Sequence, residues 1–135
     1  MELRKISDHL SVSPQIAIED VAKIKDAGFA TIVNNRPDGE EDGQPLWADI
    51  KNEANRVGLN FINLPVVDVA QTPKVVEQAN RIIKDANDPV LLYCRSGTRC
   101  TQIWALTQIG KRPKEEIIKI ALTAGYDLSG FLKDF

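Results

Sequence analysis

The sequence predicts an α/β fold with a mainly parallel central sheet of about four to five strands, flanked by helices on both faces. Helix and strand patterns alternate along the 135 residues, and this length fits one domain spanning 1–135. The segment 29–33 is largely apolar, as a strand buried on both faces is. A glycine also follows helix after helix, at Gly28 and Gly58 for example, where a left-handed residue commonly ends a helix.

The first half of the chain contains a hairpin and two helix–strand units. The start of the chain predicts a small antiparallel hairpin at the edge of the sheet. Apolar side chains at helical spacing then predict two helices, each followed by a strand. The segments are 1–13 for the hairpin, 18–27 and 46–57 for the helices, and 29–33 and 60–64 for the strands.

The second half is predicted to be mostly helical. A third helix begins at Thr72, which can cap it, and leads into the apolar strand 89–92. The helix after that strand has little polar surface and ends at Gly110, so we expect it at the buried centre. A helix from Pro113 and a short tail helix within 128–135 complete the chain.

Composition excludes several classes of partner. Lys and Arg total 17 against 19 Asp and Glu, a net charge of −2, so no overall basic field predicts binding to nucleic acid or to a membrane surface. No apolar run approaches the roughly 18 residues of a membrane span, and the chain does not start with a basic and apolar signal pattern. With 2 cysteines, we expect a cytoplasmic protein with reduced thiols. Oligomeric state leaves no sign in the sequence.

The most informative segment is 93–100, in which an apolar strand delivers Cys94 into a short loop that opens a helix. Unpaired peptide N–H groups at a helix start carry roughly half a positive charge and suit a tetrahedral anion. Gly97 lets the backbone curl close to that anion without a Cβ in the way. The same field, together with Arg99, favours a thiolate, so Cys94 is a candidate nucleophile.

A structural alternative for Cys94 is a small buried hydrophobic residue at the end of a strand. The residues that follow it argue against packing alone, because they make the loop polar and hinged. They are Arg95, Ser96, Gly97 and Thr98, and we expect them to surround the anion.

Two other strand ends are predicted to meet Cys94, because ligands in open α/β sheets lie beyond the carboxyl ends of the strands. The segment after 29–33 carries Asn35 and Arg36 as candidate substrate-binding residues. The segment that follows the predicted strand 60–64 ends at Asp68. The first of these segments is rich in Asn, Asp, Gly and Pro, so it could also be only a solvated turn.

Cleavage of a phosphate ester needs an acid, because the departing alkoxide takes up a proton that an attacking thiolate does not supply. Asp68 closely follows its strand and is the first candidate. Asp38 is the second candidate and Glu40 the third. Asp68 could alternatively cap the loop that follows it.

Two motifs together resemble the bacterial beta-lactamase-hydrolase-like phosphatase family, a branch of the tyrosine and dual-specificity phosphatase fold. They are Asn-Asn-Arg-Pro-Asp-Gly-Glu at 34–40 and Tyr-Cys-Arg-Ser-Gly-Thr-Arg at 93–99, and the resemblance runs from about residue 6 to about residue 109. It implies a cysteine phosphatase-like fold, Cys94 as nucleophile, Arg99 as the side chain that grips the phosphoryl group and the peptides of 95–99 as its cradle. It further implies a phosphorylated protein or small molecule as substrate and a cysteinyl-phosphate intermediate, with no metal or cofactor.

The loop departs from the wider phosphatase pattern at two points. Tyrosine phosphatases at large place one more residue between cysteine and arginine than the four that separate Cys94 from Arg99, and the tighter loop predicts weaker activity. Cys100 stands where the family usually has a serine whose hydroxyl could hydrogen-bond the thiolate. Three roles are open for Cys100: a weak substitute for that hydroxyl, an apolar filler, or a resolving thiol that forms a disulfide with oxidised Cys94.

Two other functions fit the same loop. The run Cys-Arg-Ser-Gly-Thr-Arg is also similar to the loop of single-domain rhodanese proteins, which implies a sulfurtransferase that carries a persulfide on Cys94 and needs no general acid. A non-catalytic module that captures phosphate, sulfate or a phosphorylated partner would use the same peptides. The motif at 34–40 favours the phosphatase, because the rhodanese loop alone does not explain it.

Overall fold

Five strands form one sheet in the computed structural model, which describes residues 1–135. They are β1 (Arg4–Ser7), β2 (Leu10–Ser13), β3 (Thr31–Asn34), β4 (Asn60–Asn63) and β5 (Val90–Tyr93). Their spatial order is β1-β2-β5-β3-β4, and every neighbouring pair except β1 with β2 is parallel. The predicted mainly parallel sheet is therefore confirmed, with the predicted antiparallel hairpin at its edge.

Five α-helices cover the two faces of the sheet, as predicted. They are α1 (Asp20–Asp26), α2 (Trp47–Val57), α3 (Pro73–Asp85), α4 (Thr98–Gln108) and α5 (Lys114–Thr123). The helices α1 and α2 bury apolar side chains in the smaller of two hydrophobic clusters, and α3, α4 and α5 in the larger. Along β5, Val90 and Leu92 belong to the larger cluster and Leu91 to the smaller, because successive side chains of a strand point to opposite faces. None of the helices combines the length and apolar character needed to cross a membrane.

The helix α4 lies at the buried centre of the molecule, as its lack of polar surface predicts. Ile103 and Ala105 are completely buried, and Trp104 is 4% exposed. Burial of one large apolar side chain stabilises a fold by about 2 kcal/mol. Packing of α4 against the sheet on one side and its neighbouring helices on the other therefore holds the short loop between β5 and α4 in a fixed place.

Three local features differ from the sequence prediction. The tail forms a 3₁₀ helix at Phe131–Asp134, because a segment of 4 residues is too short for a stable α-helix. A second 3₁₀ helix, Val69–Gln71, occupies a segment predicted to be a loop. Thr72 precedes α3 but does not cap it with its side chain, because its hydroxyl donates instead to the Asp68 carbonyl at 2.8 Å.

The carboxyl ends of the four parallel strands lie level with one another. Tyr93 is paired with Ser13 on one side and with Asn34 on the other, and Asn34 is paired in turn with Asn63. Backbone hydrogen bonding continues one residue further, since the N–H of Asn35 donates to the Tyr93 carbonyl at 2.8 Å. The segments that follow β3, β4 and β5 therefore converge at one end of the sheet, as predicted.

A buried arginine anchors the loop that follows β3. Arg36 is 1% exposed, and its guanidinium donates to Glu40 at 2.9 Å, to Glu41 at 3.2 Å and to Gln15 at 3.1 Å. The side chain of Asn34 accepts the N–H of Arg36 at 2.9 Å and donates to its carbonyl at 2.8 Å. Because a buried charge is costly unless it is paired, the conformation of the segment 36–44 depends on these contacts.

We expect Arg36→Met to lower the free energy of unfolding by about 2 kcal/mol, because it keeps most of the volume but removes the hydrogen bonds that the guanidinium donates to Glu40, Glu41 and Gln15. Urea unfolding followed by circular dichroism measures this loss. Arg56→Met is the matched control, since Arg56 pairs with Glu53 on the surface with 69% of its side chain exposed, and its loss should leave the urea midpoint nearly unchanged. A loss at Arg36 no larger than the loss at Arg56 would contradict the anchoring role.

Candidate active site

Cys94 follows β5 directly and lies where the strand ends converge. Its backbone N–H donates to the Ser13 carbonyl at 3.3 Å, which continues the pairing of β5 with β2. Its Sγ accepts the N–H of Gly97 at 3.1 Å, and α4 begins at the next residue. The loop thus curls back on the sulfur, with Gly97 at a φ of 91°, a conformation that costs glycine nothing because it has no Cβ.

The sulfur of Cys94 is both buried and hydrogen-bonded. The residue is 0% exposed and belongs to the larger hydrophobic cluster, as a packing role would require. Hydrogen bonds nevertheless lower the pKa of Cys94 to about 5, with the Cys100 thiol as the largest cause. Burial opposes this shift, while the peptide N–H groups of Cys100 and Gly97 and the charge of Arg99 add to it. The sulfur is therefore a thiolate at neutral pH, in the form that a nucleophile needs.

Cys100 lowers the pKa of Cys94, although the Gly97 N–H is the donor whose geometry places it in a hydrogen bond to the Cys94 sulfur. It lies in the first turn of α4 and is completely buried, so that desolvation raises the pKa of its thiol well above the usual range. The thiol therefore keeps its proton beside the ionised sulfur. Of the three roles that the sequence leaves open, the effect on the Cys94 pKa supports the substitute for a hydroxyl, and the complete burial of Cys100 in the larger hydrophobic cluster supports the apolar filler. Both cysteines are free thiols here, and a role of Cys100 in resolving oxidised Cys94 stays a prediction.

Arg99 is held by the segments that follow the two neighbouring strands. Its Nη1 and Nη2 donate to the two carboxylate oxygens of Glu40 at 2.9 and 2.7 Å, and Nη1 also donates to the Val66 carbonyl at 2.9 Å. A guanidinium has five N–H donors, so the Nε–H and the second hydrogen of Nη2 remain unused. These two lie along one edge of the guanidinium plane, the arrangement that matches two oxygens of a phosphate.

Glu40 joins Arg99 to the buried Arg36. Hydrogen bonds from Arg99, and then from Arg36, hold the pKa of Glu40 below its usual range although partial burial raises it. Its side chain is 24% exposed. A carboxylate kept ionised by two arginines is a poor proton donor, so the geometry favours Glu40 as a residue that positions Arg99 and not as the acid.

The two aspartates predicted as acids lie in different surroundings. Asp38 accepts the N–H of Trp47, the first residue of α2, at 3.0 Å, so its carboxylate serves a helix start. Asp68 is exposed, and its side chain makes no hydrogen bond or ion pair and caps nothing. It lies two positions after Val66, whose carbonyl binds Arg99. The carboxyl group of Asp68 is thus unengaged at this end of the sheet.

Four predicted binding residues lie between Cys94 and Arg99, namely Arg95, Ser96, Gly97 and Thr98. Arg95 has 62% of its side chain exposed and pairs with Glu41 at 3.6 Å. The hydroxyl of Ser96 donates to the hydroxyl of Thr98 at 3.0 Å, and it accepts the N–H of Thr98 at 3.4 Å. These contacts shape the start of α4 and leave the Arg95 guanidinium at the surface beside the site.

Asn35 and Arg36 support the site through hydrogen bonds to neighbouring segments. Asn35 is completely buried, and its Nδ2 donates to the Leu64 carbonyl at 2.9 Å, which ties the ends of β3 and β4 together. Its Oδ1 is buried without a hydrogen-bond partner. The Arg36 guanidinium is engaged by the three side chains named above. Direct contact of either residue with a substrate stays a prediction.

Sequence reasoning missed Tyr126, which follows α5. Its hydroxyl donates to the Ser96 carbonyl at 2.9 Å, and the residue is 7% exposed. The two residues are 30 positions apart, and no motif or spacing links them. The only local signal, an aromatic residue after the turn glycine Gly125, indicates a helix end and not a site residue.

Residues 2–111 match the family model described as beta-lactamase hydrolase-like protein, phosphatase-like domain. A curated beta-lactamase hydrolase-like protein from Xylella fastidiosa (strain Temecula1) is 30% identical over 130 residues, and a relative of the same name from Agrobacterium fabrum is also 30% identical. Both alignments cover 95% of this chain but 30% of the relative, so the chain spans less than a third of the length of these proteins.

Solved structures share both the fold and, in one case, clear sequence similarity. A candidate phosphatase from Neisseria meningitidis superposes with a TM-score of 0.87 and 38% identity, over 97% of this chain and 94% of that chain. The PTP-2 phosphatase of Cydia pomonella gives 0.73 with 14% identity, over 98% and 86%. TpbA of P. aeruginosa, in a complex with phosphotyrosine, gives 0.64 with 18% identity, over 94% and 76%. The predicted cysteine phosphatase-like fold is confirmed, and the chain belongs to the beta-lactamase hydrolase-like phosphatase-like domain family.

Proposed function

We propose that residues 1–135 act as one phosphatase domain that hydrolyses phosphate monoesters through a cysteinyl-phosphate on Cys94. The proposal rests on the surroundings of the Cys94 sulfur. This sulfur accepts a peptide N–H in a loop at a helix start, and it is ionised at neutral pH. Such a loop suits a tetrahedral dianion, and a thiolate inside it suits attack on phosphorus. Membership of a phosphatase-like family supports this class of reaction.

In the first step, the Cys94 thiolate attacks the phosphorus atom. The S–P bond forms while the P–O bond to the leaving group breaks. The unused edge of Arg99 and the peptide N–H groups of the loop bind the phosphoryl oxygens as negative charge redistributes over them. We assign the proton that the leaving oxygen needs to Asp68, because its carboxyl group is exposed and unengaged.

In the second step, water attacks the phosphorus atom of the cysteinyl-phosphate. Asp68, now ionised, takes the proton from that water, and the S–P bond breaks to release inorganic phosphate. The hydrogen bonds that hold the thiolate make it a good leaving group, because they stabilise the charge that returns to sulfur.

We propose a phosphorylated protein or small molecule as the substrate, with tyrosine and serine or threonine esters both accepted. TpbA, which shares the fold, binds phosphotyrosine in its crystal structure, and this supports an aryl phosphate as the first probe. Val67 is 77% exposed, and Arg95 is also exposed, so the rim beside the site is open. An open rim supports a shallow site that admits short as well as long phosphorylated side chains.

The purified protein is expected to release phosphate from p-nitrophenyl phosphate, and Cys94→Ser to lower the rate by at least about a thousandfold, because it removes the nucleophile. Phosphate release is measured by colour, with thiocyanate formation from thiosulfate and cyanide measured in parallel. Thiocyanate without phosphate release would replace the proposal with a sulfurtransferase. Binding of phosphate without either turnover would replace it with a non-catalytic module.

Asp68→Asn is expected to flatten the basic side of the pH profile of kcat/KM, because it removes the group that must be protonated in the first step. The acidic side should still rise through pH values near 5, as Cys94 loses its proton. Asp38→Asn is the matched control, since its carboxylate binds the start of α2, and it should keep both sides of the profile. A basic side that disappears with Asp38→Asn alone would assign the acid to Asp38.

Cys100→Ala is expected to raise the pKa of Cys94, because the Cys100 thiol is the largest cause of its low value. The rate of alkylation of Cys94 by iodoacetamide follows the thiolate fraction, so its midpoint near pH 5 should rise by about one pH unit. Cys100→Ser is the control, because a hydroxyl is the better donor and should keep the midpoint low. Mass spectrometry assigns the label to Cys94, and an unchanged midpoint in Cys100→Ala would refute the donor role.

A further inference from the structure

The peptide group between Ser96 and Gly97 is held at both of its polar ends. Its N–H, from Gly97, donates to the Cys94 sulfur at 3.1 Å. Its carbonyl, from Ser96, accepts the hydroxyl of Tyr126 at 2.9 Å. A trans peptide is planar, and its N–H and C=O point in opposite directions. The bond from Tyr126 therefore fixes the direction in which the N–H points.

Tyr126 is itself firmly placed at the end of α5. Its backbone N–H donates to the Ala121 carbonyl at 2.9 Å, and the residue is 7% exposed. The guanidinium of Arg4 lies 5.1 Å from the centre of its ring and donates to the Ala124 carbonyl at 3.2 Å. Burial raises the pKa of Tyr126, so that its hydroxyl keeps the proton that it donates. The hydroxyl is thus a fixed donor behind the loop.

Tyr126 also leaves no room for a side chain at position 97. A Cβ on Gly97 would overlap the Tyr126 hydroxyl, and the φ of Gly97 is 91°, where other residues are strained. Tyr126 and Gly97 therefore fit together as a pair. The loop can approach the tyrosine only because position 97 lacks a side chain, and the tyrosine fills the space that a side chain would take.

We propose that Tyr126 is a positioning residue for the nucleophile, whose hydroxyl orients the 96–97 peptide so that its N–H is directed at the Cys94 sulfur and at a bound oxyanion. The consequence of this positioning for catalysis rests on the proposed function. The orientation of the peptide itself does not depend on turnover. Tyr126 lies outside residues 2–111, the part of the chain that matches the family model. Without the Tyr126 hydroxyl the Ser96 carbonyl loses its hydrogen bond, and the direction of the Gly97 N–H toward the sulfur is less firmly set.

Tyr126→Phe tests this role, because it keeps the ring and removes only the hydroxyl. The midpoint of the pH dependence of Cys94 alkylation by iodoacetamide should rise by about 0.7 pH unit, the equivalent of one neutral hydrogen bond. Tyr93→Phe is the matched control, since Tyr93 is also buried but its hydroxyl makes no hydrogen bond to the loop, and it should leave the midpoint unchanged. Urea unfolding of both variants reports any general loss of packing.

The outcomes separate this inference from the proposed function. A raised midpoint in Tyr126→Phe and an unmoved one in Tyr93→Phe support positioning, even if the wild-type protein releases no phosphate. An unmoved midpoint in Tyr126→Phe overturns the inference, whatever the phosphatase assay shows. A loss of stability in Tyr126→Phe with the alkylation midpoint unmoved also overturns it, because Tyr126 would then serve packing alone.

Discussion

A negatively charged sulfur buried in an apolar cluster is the constraint on which the rest of the site depends. Cys94 is 0% exposed, and an unpaired charge in such a place would be removed by uptake of a proton. The protein avoids this mainly through short-range donors, first the Cys100 thiol and then two peptide N–H groups, with the charge of Arg99 as a smaller contribution. Burial tends to raise the pKa of both thiols. It therefore opposes the ionisation of Cys94, but it also keeps Cys100 protonated beside the Cys94 sulfur.

The arginines around the sulfur are already balanced by glutamates. Arg36 and Arg99 share Glu40, and Arg36 and Arg95 share Glu41. These pairs hold the guanidinium groups in place, and they leave one edge of Arg99 with unused donors. An anion bound at this site, as proposed, would therefore be held by converging donors more than by a positive field, in agreement with a net charge of −2 for the chain.

The level carboxyl ends of the parallel strands explain how distant segments reach one sulfur. Asn34 and Asn35 tie the ends of β3, β4 and β5 together, and the segments beyond them provide Glu40 and the Val66 carbonyl to Arg99. The sequence predicted this convergence, because the alternation of helices with apolar strands implies parallel pairing. It did not predict which groups would engage one another there. Glu40 and Asp38 look alike in the sequence, yet one pairs with two arginines and the other receives a helix N–H.

Neighbouring residues alone were enough to identify the order of helices and strands and the loop that carries Cys94 to the start of α4, because periodicity, glycine positions and the start of α4 are local properties. The structure of segments with weak local preferences was harder to predict, as the 3₁₀ helices at Val69–Gln71 and Phe131–Asp134 show. The folded chain decided the rest. Packing brings together the residues of two contacts, Arg99 with Glu40 and Tyr126 with Ser96. Packing also buries Arg36. Such contacts arise when elements far apart in the chain dock on the same end of the sheet, and no local pattern carries that information.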